Sequence, residues 1–263
     1  VMVGAGSPSY PGAAVMCAKA TQLSGAGYTE VFTAKRNVLL IQTARPSLVV
    51  RSFKQLNSCA NPGRGCTGAF VFGPGIEASD LTAKTVLLGL IKGCSCPLLI
   101  DGGGFDHLPK EEFHQAVVER GRAGHVTVLT PHPGEAARLG IPFGIEPHDD
   151  FERTALELSE CYKAIVVLKG PDTTIASKGT FVTVEEGTSA LAKAGTGDVL
   201  AGFIGGFLAQ GVDPFHACLL GVVLHARAGI IAAQSMGPIC VCADDLLDMF
   251  PTAVMDLAAE LDD

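Results

Sequence analysis

Ten residues, 193–202, carry the glycines and side chains expected where bonds to phosphate are made and broken. They read Lys-Ala-Gly-Thr-Gly-Asp-Val-Leu-Ala-Gly. Gly195 and Gly197 allow the backbone to turn tightly and approach a ligand, and the apolar residues after them predict a helix whose free N–H groups face an anion. Because bound phosphate repels a carboxylate, Asp198 in the first turn is better explained as a base or a metal partner than as a binding group. A glycine turn followed by an Asp that only complements the helix dipole is the alternative.

Residues 169–173 form a second candidate site directly after a buried apolar run. They combine a cation, two residues with special backbone conformations and a hydroxyl, which suits the phosphate or ribose end of a nucleotide. A plain β-turn explains the same Lys-Gly-Pro-Asp sequence, so both interpretations stay open. The residues of this segment are Lys169, Gly170, Pro171, Asp172 and Thr173.

A histidine between two prolines follows another apolar run, in the sequence Thr-Pro-His-Pro-Gly-Glu over residues 130–135. The prolines hold His132 rigidly, so its imidazole is able to contact a ligand at little cost in ordering. Glu135 lies one turn into the next predicted helix. It is suited either to act on a metal or water, or to serve as a first-turn acid at a helix start.

The start of the chain contains small residues that resemble a dinucleotide fingerprint only superficially. Residues 4–7 read Gly-Ala-Gly-Ser and residues 11–14 read Pro-Gly-Ala-Ala. Because the spacing is not G-x-G-x-x-G and no acid stands at the expected distance, a Rossmann dehydrogenase is disfavoured. Gly12, Ala13 and Ala14 still permit a bulky ligand to approach a helix N-terminus, although helix–sheet packing explains them equally well.

Two acidic residues flank a triple glycine near position 103. Asp101 follows an apolar run and Asp106 lies five residues further on. An acid at the end of a strand is a common means of holding a metal through water, so this loop is a candidate metal site.

These candidates are positioned by short apolar runs that alternate with longer helical patterns. Such a βαβ rhythm predicts an α/β fold with a mostly parallel sheet covered by helices on both faces, in which ligands bind beyond the carboxyl ends of the strands. Strands are predicted at 1–3, 28–34, 69–72, 97–100, 126–129 and 164–168. Helices are predicted to begin at Gly12, Glu77, Lys110, Pro133 and Asp149.

Nearly all the unusual residues follow a predicted strand, so one rim of the sheet is expected to collect the chemistry. After Lys169 the pattern changes to two apolar stretches, 173–177 and 180–184, around Lys178-Gly179, which predicts a hairpin at a sheet edge. Helices then run to the end of the chain. The apolar segment 199–233 is interrupted by charged residues and His, which favours two buried helices over a bilayer span.

The composition suits one α/β domain over residues 1–263. Of 263 residues, 48% are hydrophobic, 32 are Gly and none is Trp, which predicts a large buried core. The formal charge of −8 argues against nucleic-acid or membrane partners, because binding to either needs a basic face. Any phosphate ligand must therefore be held locally.

The cysteines indicate a reducing compartment. Nine Cys are scattered without a regular framework and no signal peptide precedes them, so reduced thiols in the cytoplasm are expected. Two C-x-C pairs lack the C-x-x-C spacing of a zinc site, and they are interpreted as small buried apolar residues. The pairs are Cys94 with Cys96 and Cys240 with Cys242.

Five motifs taken in order resemble the ADP/ATP-dependent NAD(P)H-hydrate dehydratases over nearly the whole chain. They are PGAA near the start, GPG, TPHPGE, VLKG-x-x-T and ALAKAGTGDVLAG. The resemblance implies a ribokinase-like three-layer sandwich and the removal of water from the S-epimer of NADH or NADPH hydrate, coupled to ADP or ATP. In that chemistry a base deprotonates the ring hydroxyl, the oxygen takes the terminal phosphoryl group, and phosphate then leaves.

The resemblance also assigns roles to residues. It implies that Asp198 is the base and that the N–H groups from Ala194 through Gly195, Thr196 and Gly197 form an anion hole. Magnesium is expected because phosphoryl transfer needs its charge neutralised. By the same resemblance, residues 169–173 and Gly197 would hold ADP or ATP. The hydrate site would be lined by Ala13, Gly75, His132 and Asp198.

The sequence departs from the family pattern at several positions. Ala194 stands where another glycine is usual, and Asp101-Gly-Gly-Gly-Phe replaces an Asp-Ala-Asp-Ala-Leu-like run, so an acid is lost. Val184-Glu-Glu-Gly-Thr stands where an Asn-Pro stretch is usual. The Lys-Gly-x-x-Gly segment that usually precedes the first strand is missing, which predicts trimming at the N-terminus. The epimerase domain of some members is also missing, so a separate NAD(P)H-hydrate epimerase is expected as a partner.

Two other functions use the same residues. A kinase of the same superfold acting on a vitamin-precursor alcohol would employ Asp198 and the anion hole, and would release a stable phosphorylated product. The second alternative is a nucleotide-binding protein that has lost turnover through the altered Asp101 loop. The resemblance further suggests a homo-oligomer, but the sequence leaves the choice between ADP and ATP open.

Overall fold

A computed structural model describes residues 1–56, 68–146 and 150–262. These residues form one nine-stranded sheet in the order β3-β2-β1-β4-β5-β6-β7-β8-β9, parallel from β3 to β7 and antiparallel at the last two strands. The α/β fold predicted from the sequence is therefore confirmed. The strands are β1 Met2–Gly4, β2 Glu30–Thr33, β3 Val49–Ser52, β4 Phe70–Phe72, β5 Leu98–Ile100, β6 Thr127–Leu129, β7 Ile165–Leu168, β8 Thr173–Ser177 and β9 Thr180–Val184.

Helices cover both faces of the sheet. The described α-helices are α1 Pro11–Leu23, α2 Val38–Ala44, α3 Phe53–Leu56, α4 Leu81–Gly93, α5 Glu111–Arg122, α6 Pro133–Gly140, α7 Phe151–Tyr162, α8 Thr196–Ala209, α9 Pro214–Met236 and α10 Ala243–Asp262. Alternate strand residues enter opposite cores, as the two-residue period of a strand requires. On β4, Phe70 and Phe72 pack in the core with α4, α5 and α7, whereas Val71 packs in the core with α1, α8 and α9.

The strand order reverses at β1, which lies between β2 and β4. The chain first builds outward from β1 to β3 and then returns to the other side of β1. In sheets of this type the connections diverge at such a point and leave a crevice beyond the carboxyl ends of the two strands. The loops that follow β1 and β4 are therefore expected to border a ligand.

Close contact between α1 and α8 depends on glycines of α8. A Cβ added at Gly202 would lie 2.3 Å from the Cys17 carbonyl oxygen, and one at Gly206 would lie 1.9 Å from the Ser24 hydroxyl oxygen. Larger residues would force the helices apart, because a packed interior does not absorb a shift of this size. The first turn of α8 is thereby fixed against the end of the sheet.

Several predicted elements differ from the structure. The edge strand β3 was not predicted, because Arg51 and Ser52 interrupt its apolar pattern. Helix α4 begins at Leu81 rather than Glu77, since the Asp80 carboxylate caps it by accepting hydrogen bonds from the N–H groups of the next turn. The predicted helix start at Asp149 lies outside the described residues. The hairpin of β8 and β9 is confirmed.

The apolar segment 199–233 forms most of α8 and α9. By length and composition alone α9 could cross a bilayer, but 56% of that stretch is buried inside the fold, as expected of a core helix. The expectation of reduced thiols is wrong for Cys96, which is disulfide-bonded. The expectation of burial is wrong for Cys240 and Cys242, which are exposed free thiols.

Candidate active site

The loops after β1 and β4 are fastened to each other at the point where the strand order reverses. The Gly6 N–H donates to the Pro74 carbonyl oxygen and the Ser7 N–H donates to that of Gly75, each at 2.8 Å. Gly73 has φ +123°, and a Cβ there would lie 1.7 Å from the Asp101 carbonyl oxygen. Only glycine fits this position, so it brings the end of β5 against the end of β4.

An ammonium group lies at the centre of the rim. Lys169, directly after β7, donates from Nζ to Asp101 Oδ1 at 2.9 Å, and Glu135 Oε2 lies 3.9 Å from the same nitrogen. The Thr130 hydroxyl donates to Asp101 Oδ1 at 2.7 Å. Burial lowers the pKa of Lys169, but the Asp101 and Glu135 carboxylates outweigh this effect and the net pKa is raised. The lysine is therefore a fixed positive charge.

The carboxyl of Asp198 lies in the first turn of α8, as predicted. Burial raises its pKa most, the Asp101 carboxylate raises it as well and the Lys169 ammonium opposes them, which leaves the pKa at about 7. A group with a pKa near neutrality is able both to accept and to return a proton at physiological pH. Strong shifts of this kind cluster at functional sites, so Asp198 has the property expected of a general base.

Helix α8 begins without a side-chain cap. Its N-cap residue is Gly195, with φ +93°, and no side chain accepts a hydrogen bond from the first turn. A Cβ at Gly195 would lie 2.8 Å from Met16 Cε, and one at Gly197 would lie 3.2 Å from Lys169 Nζ. The glycines thus let the backbone approach the lysine. The Thr196 N–H donates to the Lys193 carbonyl oxygen at 3.4 Å, but no side chain blocks the turn, so the start of the helix is open to an anion.

Buried hydrogen bonds hold this turn in place from behind. The Thr196 hydroxyl lies 2.8 Å from the carbonyl oxygens of Leu191 and Lys193. On α9, His225 Nε2 lies 2.9 Å from the Thr196 carbonyl oxygen. Burial lowers the pKa of His225 to about 4, so the imidazole is neutral at pH 7 and donates through Nε2. The contact of this histidine with the turn could not be predicted from the sequence, because His225 and Thr196 are 29 positions apart.

The histidine between two prolines is the N-cap of α6. His132 Nδ1 accepts from the N–H groups of Gly134 at 3.0 Å and Glu135 at 3.4 Å, and Glu135 Oε2 accepts from the His132 N–H at 2.9 Å. This is a reciprocal capping box. The imidazole side chain remains 55% exposed, and acceptance at Nδ1 leaves Nε2–H as its donor. The first-turn role weighed for Glu135 is therefore present.

Small residues meet at the opposite side of the crevice. A Cβ at Gly75, which has φ +62°, would lie 2.5 Å from the Ala13 side chain and 2.9 Å from the Tyr10 carbonyl oxygen. The structure thus brings Ala13 and Gly75 into contact where the strand order reverses. The exposed Tyr10 ring borders the same place and was not predicted from the sequence.

The turn between β7 and β8 carries the other predicted nucleotide contacts. A Cβ at Gly170 would lie 2.9 Å from the Asp172 carbonyl oxygen, so the turn is tight. Pro171 and Asp172 are exposed, and Thr173 is the partly buried first residue of β8. The Pro171 carbonyl oxygen lies 3.1 Å from the position of a Gly187 Cβ, which brings the divergent 184–188 segment against this turn.

No group of three metal-binding side chains occurs among residues 1–56, 68–146 and 150–262. Asp101 binds Lys169, and Asp106 lies 3.8 Å from Arg138 Nη1. Each of the two acids thus faces a different cation, Asp101 the Lys169 ammonium and Asp106 the Arg138 guanidinium. The surplus of carboxylates around one lysine still fits Mg²⁺, which is commonly held by one or two carboxylates together with substrate phosphates and water.

Comparison with known proteins identifies the family. A family model described as NAD(P)H-hydrate dehydratase matches residues 1–252. The ADP-dependent (S)-NAD(P)H-hydrate dehydratase of Xanthomonas campestris is 30% identical, covering 94% of this chain and 84% of that relative. The bifunctional NAD(P)H-hydrate repair enzyme of Thermofilum pendens is 31% identical over 98% of this chain and 50% of the relative. The chain thus spans about half the length of the bifunctional relatives it matches.

Solved structures agree with this assignment. The ADP/ATP-dependent NAD(P)H-hydrate dehydratase of Bacillus subtilis, co-crystallised with ATP/Mg²⁺, has a TM-score of 0.81 and 27% identity over 97% of this chain and 88% of that one. A hydroxyethylthiazole kinase of Pyrococcus horikoshii has a TM-score of 0.63 and 17% identity over 95% of this chain and 87% of that one. The second likeness extends to the fold alone. A ribokinase-like superfamily protein of Enterococcus faecalis has a TM-score of 0.76 and 26% identity over 97% of this chain and 86% of that one.

Proposed function

The chain belongs to the NAD(P)H-hydrate dehydratase family, and from this premise we propose that it restores NADH or NADPH from the S-epimer of the corresponding hydrate. The reaction consumes ADP or ATP. One observation carries the proposal: a carboxyl with a pKa of about 7, Asp198, lies in the first turn of a helix that has no side-chain cap. A base and an anion site are therefore adjacent, which is the pairing that phosphorylation of a hydroxyl requires.

In the proposed reaction Asp198 accepts the proton of the ring hydroxyl. The hydroxyl oxygen then attacks the terminal phosphoryl group, while the N–H groups of residues 194–197 stabilise the negative charge that develops on it. Phosphate then departs with the C–O bonding electrons, the neighbouring ring carbon loses a proton to solvent, and the electrons of that C–H bond form the restored double bond. The His225 contact to Thr196 supports this step because donors that are already oriented need no reorganisation during the reaction.

The nucleotide is proposed to lie along the turn after β7 and the start of α8. Lys169 supplies a fixed positive charge, and Gly197 allows the phosphates to approach the backbone. Gly170, Pro171, Asp172 and Thr173 would shape the adenosine side. The contact between Pro171 and the 184–188 segment supports a pocket wall there, built from residues that differ from the usual family pattern.

The hydrate is proposed to occupy the crevice between the loops after β1 and β4. Ala13 and Gly75 leave space for its ring, and His132 would contact it through Nε2–H, a nitrogen that lies 3.6 Å from Glu135 Oε1. Asp198 would face the reacting hydroxyl. The hydrogen bonds from Gly6 to Pro74 and from Ser7 to Gly75 hold the two loops of this crevice together, which supports the assignment.

Magnesium is proposed to accompany the nucleotide. Asp101 and Glu135 are the carboxylates suited to hold it, directly or through water, and both now neutralise the Lys169 ammonium. The ion would supply charge neutralisation for the transferring phosphoryl group. The Mg²⁺ content of the co-crystallised Bacillus subtilis relative supports this proposal.

The remaining expectations concern the cellular setting. We propose one dehydratase domain over residues 1–263 that acts in the cytoplasm on small-molecule nucleotides, without nucleic-acid or membrane partners. A homo-oligomer and a separate NAD(P)H-hydrate epimerase are expected by analogy with the family. The bifunctional relatives support a functional link with epimerisation.

The test is to incubate the chain with Mg²⁺, chemically prepared NADH hydrate and either ADP or ATP. Recovery of the reduced-nicotinamide absorbance in a fixed ratio to released phosphate would establish the reaction and identify the nucleotide. No recovery with either nucleotide, from protein shown to be folded by circular dichroism, would refute it. A screen of alcohols for a stable phosphorylated product would then test the kinase function that the same fold hosts.

A further inference from the structure

Two cysteines that the proposed reaction does not use lie at the edge of the candidate site. Cys240 and Cys242 are exposed free thiols in the loop between α9 and α10. Cys17 and Cys218 differ from them, because both are completely buried. Exposed thiols are the ones that oxidants reach, so Cys240 and Cys242 are open to oxidation.

The loop already places the two residues close together. The Cys240 N–H donates to the Gly237 carbonyl oxygen at 3.0 Å, and Cys242 Sγ lies 3.7 Å from the Cys240 carbonyl oxygen. The second sulfur is thus folded back toward the first residue. Residues two apart in a chain are separated by at most about 7 Å between Cα atoms, which overlaps the Cα separation of about 4.4–6.8 Å that a disulfide needs.

The same loop is tied to the phosphate-binding segment by Lys193. Its ammonium donates to the carbonyl oxygens of Ile239 at 2.5 Å, Pro238 at 3.4 Å and Val241. The Val241 side chain is completely buried among residues of α8, α9 and α10. The residue between the two cysteines is therefore anchored twice, once through its side chain and once through its carbonyl.

Lys193 in turn belongs to the turn that opens α8. Its carbonyl oxygen lies 2.8 Å from the Thr196 hydroxyl and accepts the Thr196 N–H at 3.4 Å. A chain of direct contacts thus runs from Cys240 and Cys242 through Val241 and Lys193 to the residue between Gly195 and Gly197. A change in the conformation of the loop is therefore transmitted to the anion hole by direct contacts.

We propose that Cys240 and Cys242 are an oxidative modification site, at which an intraloop disulfide forms and weakens nucleotide binding. Hydrogen peroxide or a small-molecule disulfide is the oxidant. The two S–H bonds break and one S–S bond forms, and the two electrons and two protons pass to the oxidant, which becomes two water molecules or two thiols.

The disulfide acts through the peptide groups of Val241. Closing so small a ring turns these peptides while the buried side chain stays in place, so the Val241 carbonyl rotates away from the Lys193 ammonium. The start of α8 then loses a contact that holds its anion-binding N–H groups in place, and we expect the Kd for nucleotide to rise about tenfold. The ligand used in this inference rests on the proposed function, whereas formation of the disulfide does not.

The experiment treats the reduced chain with hydrogen peroxide and, in parallel, with oxidised glutathione. Peptide mapping after alkylation reports whether the peptide that holds both cysteines has lost two hydrogens and escapes alkylation. Equilibrium dialysis with ADP or ATP then measures the Kd before and after oxidation. The expected result is the disulfide with about a tenfold weaker Kd, and recovery of the original Kd with a thiol reductant.

Matched variants separate this site from the other cysteines. After oxidant treatment, Cys240→Ser and Cys242→Ser are expected to bind nucleotide with the same Kd as the untreated, reduced parent chain. Cys161→Ser removes a partly buried thiol on α7 and is expected to lose nucleotide affinity on oxidation as the parent chain does. The inference is overturned if both thiols still alkylate after oxidation, or if the disulfide forms and the Kd is unchanged. Failure of the proposed dehydration would instead appear as absent turnover in the reduced chain.

Discussion

Two helices begin at the same rim of the sheet, and their first turns differ in how the backbone N–H groups are satisfied. At α6, His132 and Glu135 cap one another's backbone, so the turn is closed by its own side chains. At α8 the N-cap is Gly195, and no side chain accepts a hydrogen bond from the turn. Lys169 lies beside both, 3.9 Å from the Glu135 carboxylate and 3.2 Å from the position of a Gly197 Cβ.

The difference shows why only one of the two helix starts is suited to bind phosphate. Free N–H groups and the positive end of the helix dipole make an anion site, but a capping box uses the same donors and adds a carboxylate where the anion would lie. The α6 turn is therefore committed to holding His132 in place. The α8 turn keeps its donors and adds Asp198, a base whose pKa is about 7.

Replacing the base at α8 should have the largest effect. Asp198→Asn keeps the size of the side chain but removes proton transfer, so turnover of the hydrate is expected to fall about 10³- to 10⁴-fold. The nucleotide Kd should change by less than about threefold, because the N–H groups remain. Steady-state phosphate release and equilibrium dialysis measure the two quantities. Equal losses in turnover and nucleotide affinity would mean that Asp198 binds rather than reacts.

Adding a methyl group at the α8 N-cap should come next. Gly195→Ala strains a backbone with φ +93° and places a Cβ 2.8 Å from Met16 Cε, which displaces the donors. Turnover is expected to fall about 10²-fold, the effect of losing an oriented anion-hole donor. Kinetic assays at saturating hydrate measure it.

Gly211→Ala is the matched control for this change. Gly211 follows the same helix at φ +81°, and nothing lies within 4 Å of an added Cβ. It should lose about 1–2 kcal/mol of stability from the left-handed backbone and keep its turnover. If both variants lose turnover alike, backbone strain rather than the anion hole explains the first result.

The sheet and the rim were predictable because local signals agree along the chain. The Lys178-Gly179 turn between two apolar stretches defines the β8–β9 hairpin, and small residues after apolar runs locate the loops. Two elements were predicted less well. The edge strand β3 was missed because Arg51 breaks its apolar pattern. The start of α4 was placed at Glu77, although Asp80 is the residue that caps this helix. Such boundaries follow from a single side-chain contact that periodicity does not report.

The electrostatics of the site could not be predicted, since they depend on residues far apart in sequence. Asp101 and Lys169 are 68 positions apart, yet they form the central ion pair. The pKa of Asp198 follows from its burial and from those charges, and neither is visible in the Gly-Thr-Gly-Asp run. The capping box at His132 did have a sequence signal, because a glutamate three residues after a helix start is its usual mark.

Substitutions at His132 separate its capping role from its proposed contact with the hydrate. Asn is a good N-cap residue, so His132→Asn should keep the stability within about 0.5 kcal/mol, whereas His132→Ala should lose about 1 kcal/mol. Both variants lack the imidazole and should raise the KM for the hydrate about tenfold if Nε2–H contacts it. Chemical denaturation and initial rates measure these effects. An unchanged KM in the Asn variant would limit His132 to capping α6.

The smallest expected effect is the dependence of stability on pH that Asp198 introduces. Its folded pKa of about 7 lies above the ordinary aspartate value of 3.8. The native state therefore holds more protons than the unfolded state between these values, and the free energy of unfolding falls as pH rises. Asp198→Asn removes this term and should gain about 1–2 kcal/mol relative to the parent chain between pH 5 and pH 8, with allowance for partial exposure. Paired denaturation curves at the two pH values measure it, and His225 cancels because it is common to both proteins. If the stability gained by Asp198→Asn does not change with pH, the pKa of Asp198 is not raised. The α8 helix start then lacks the perturbed carboxyl that distinguishes it from the α6 helix start.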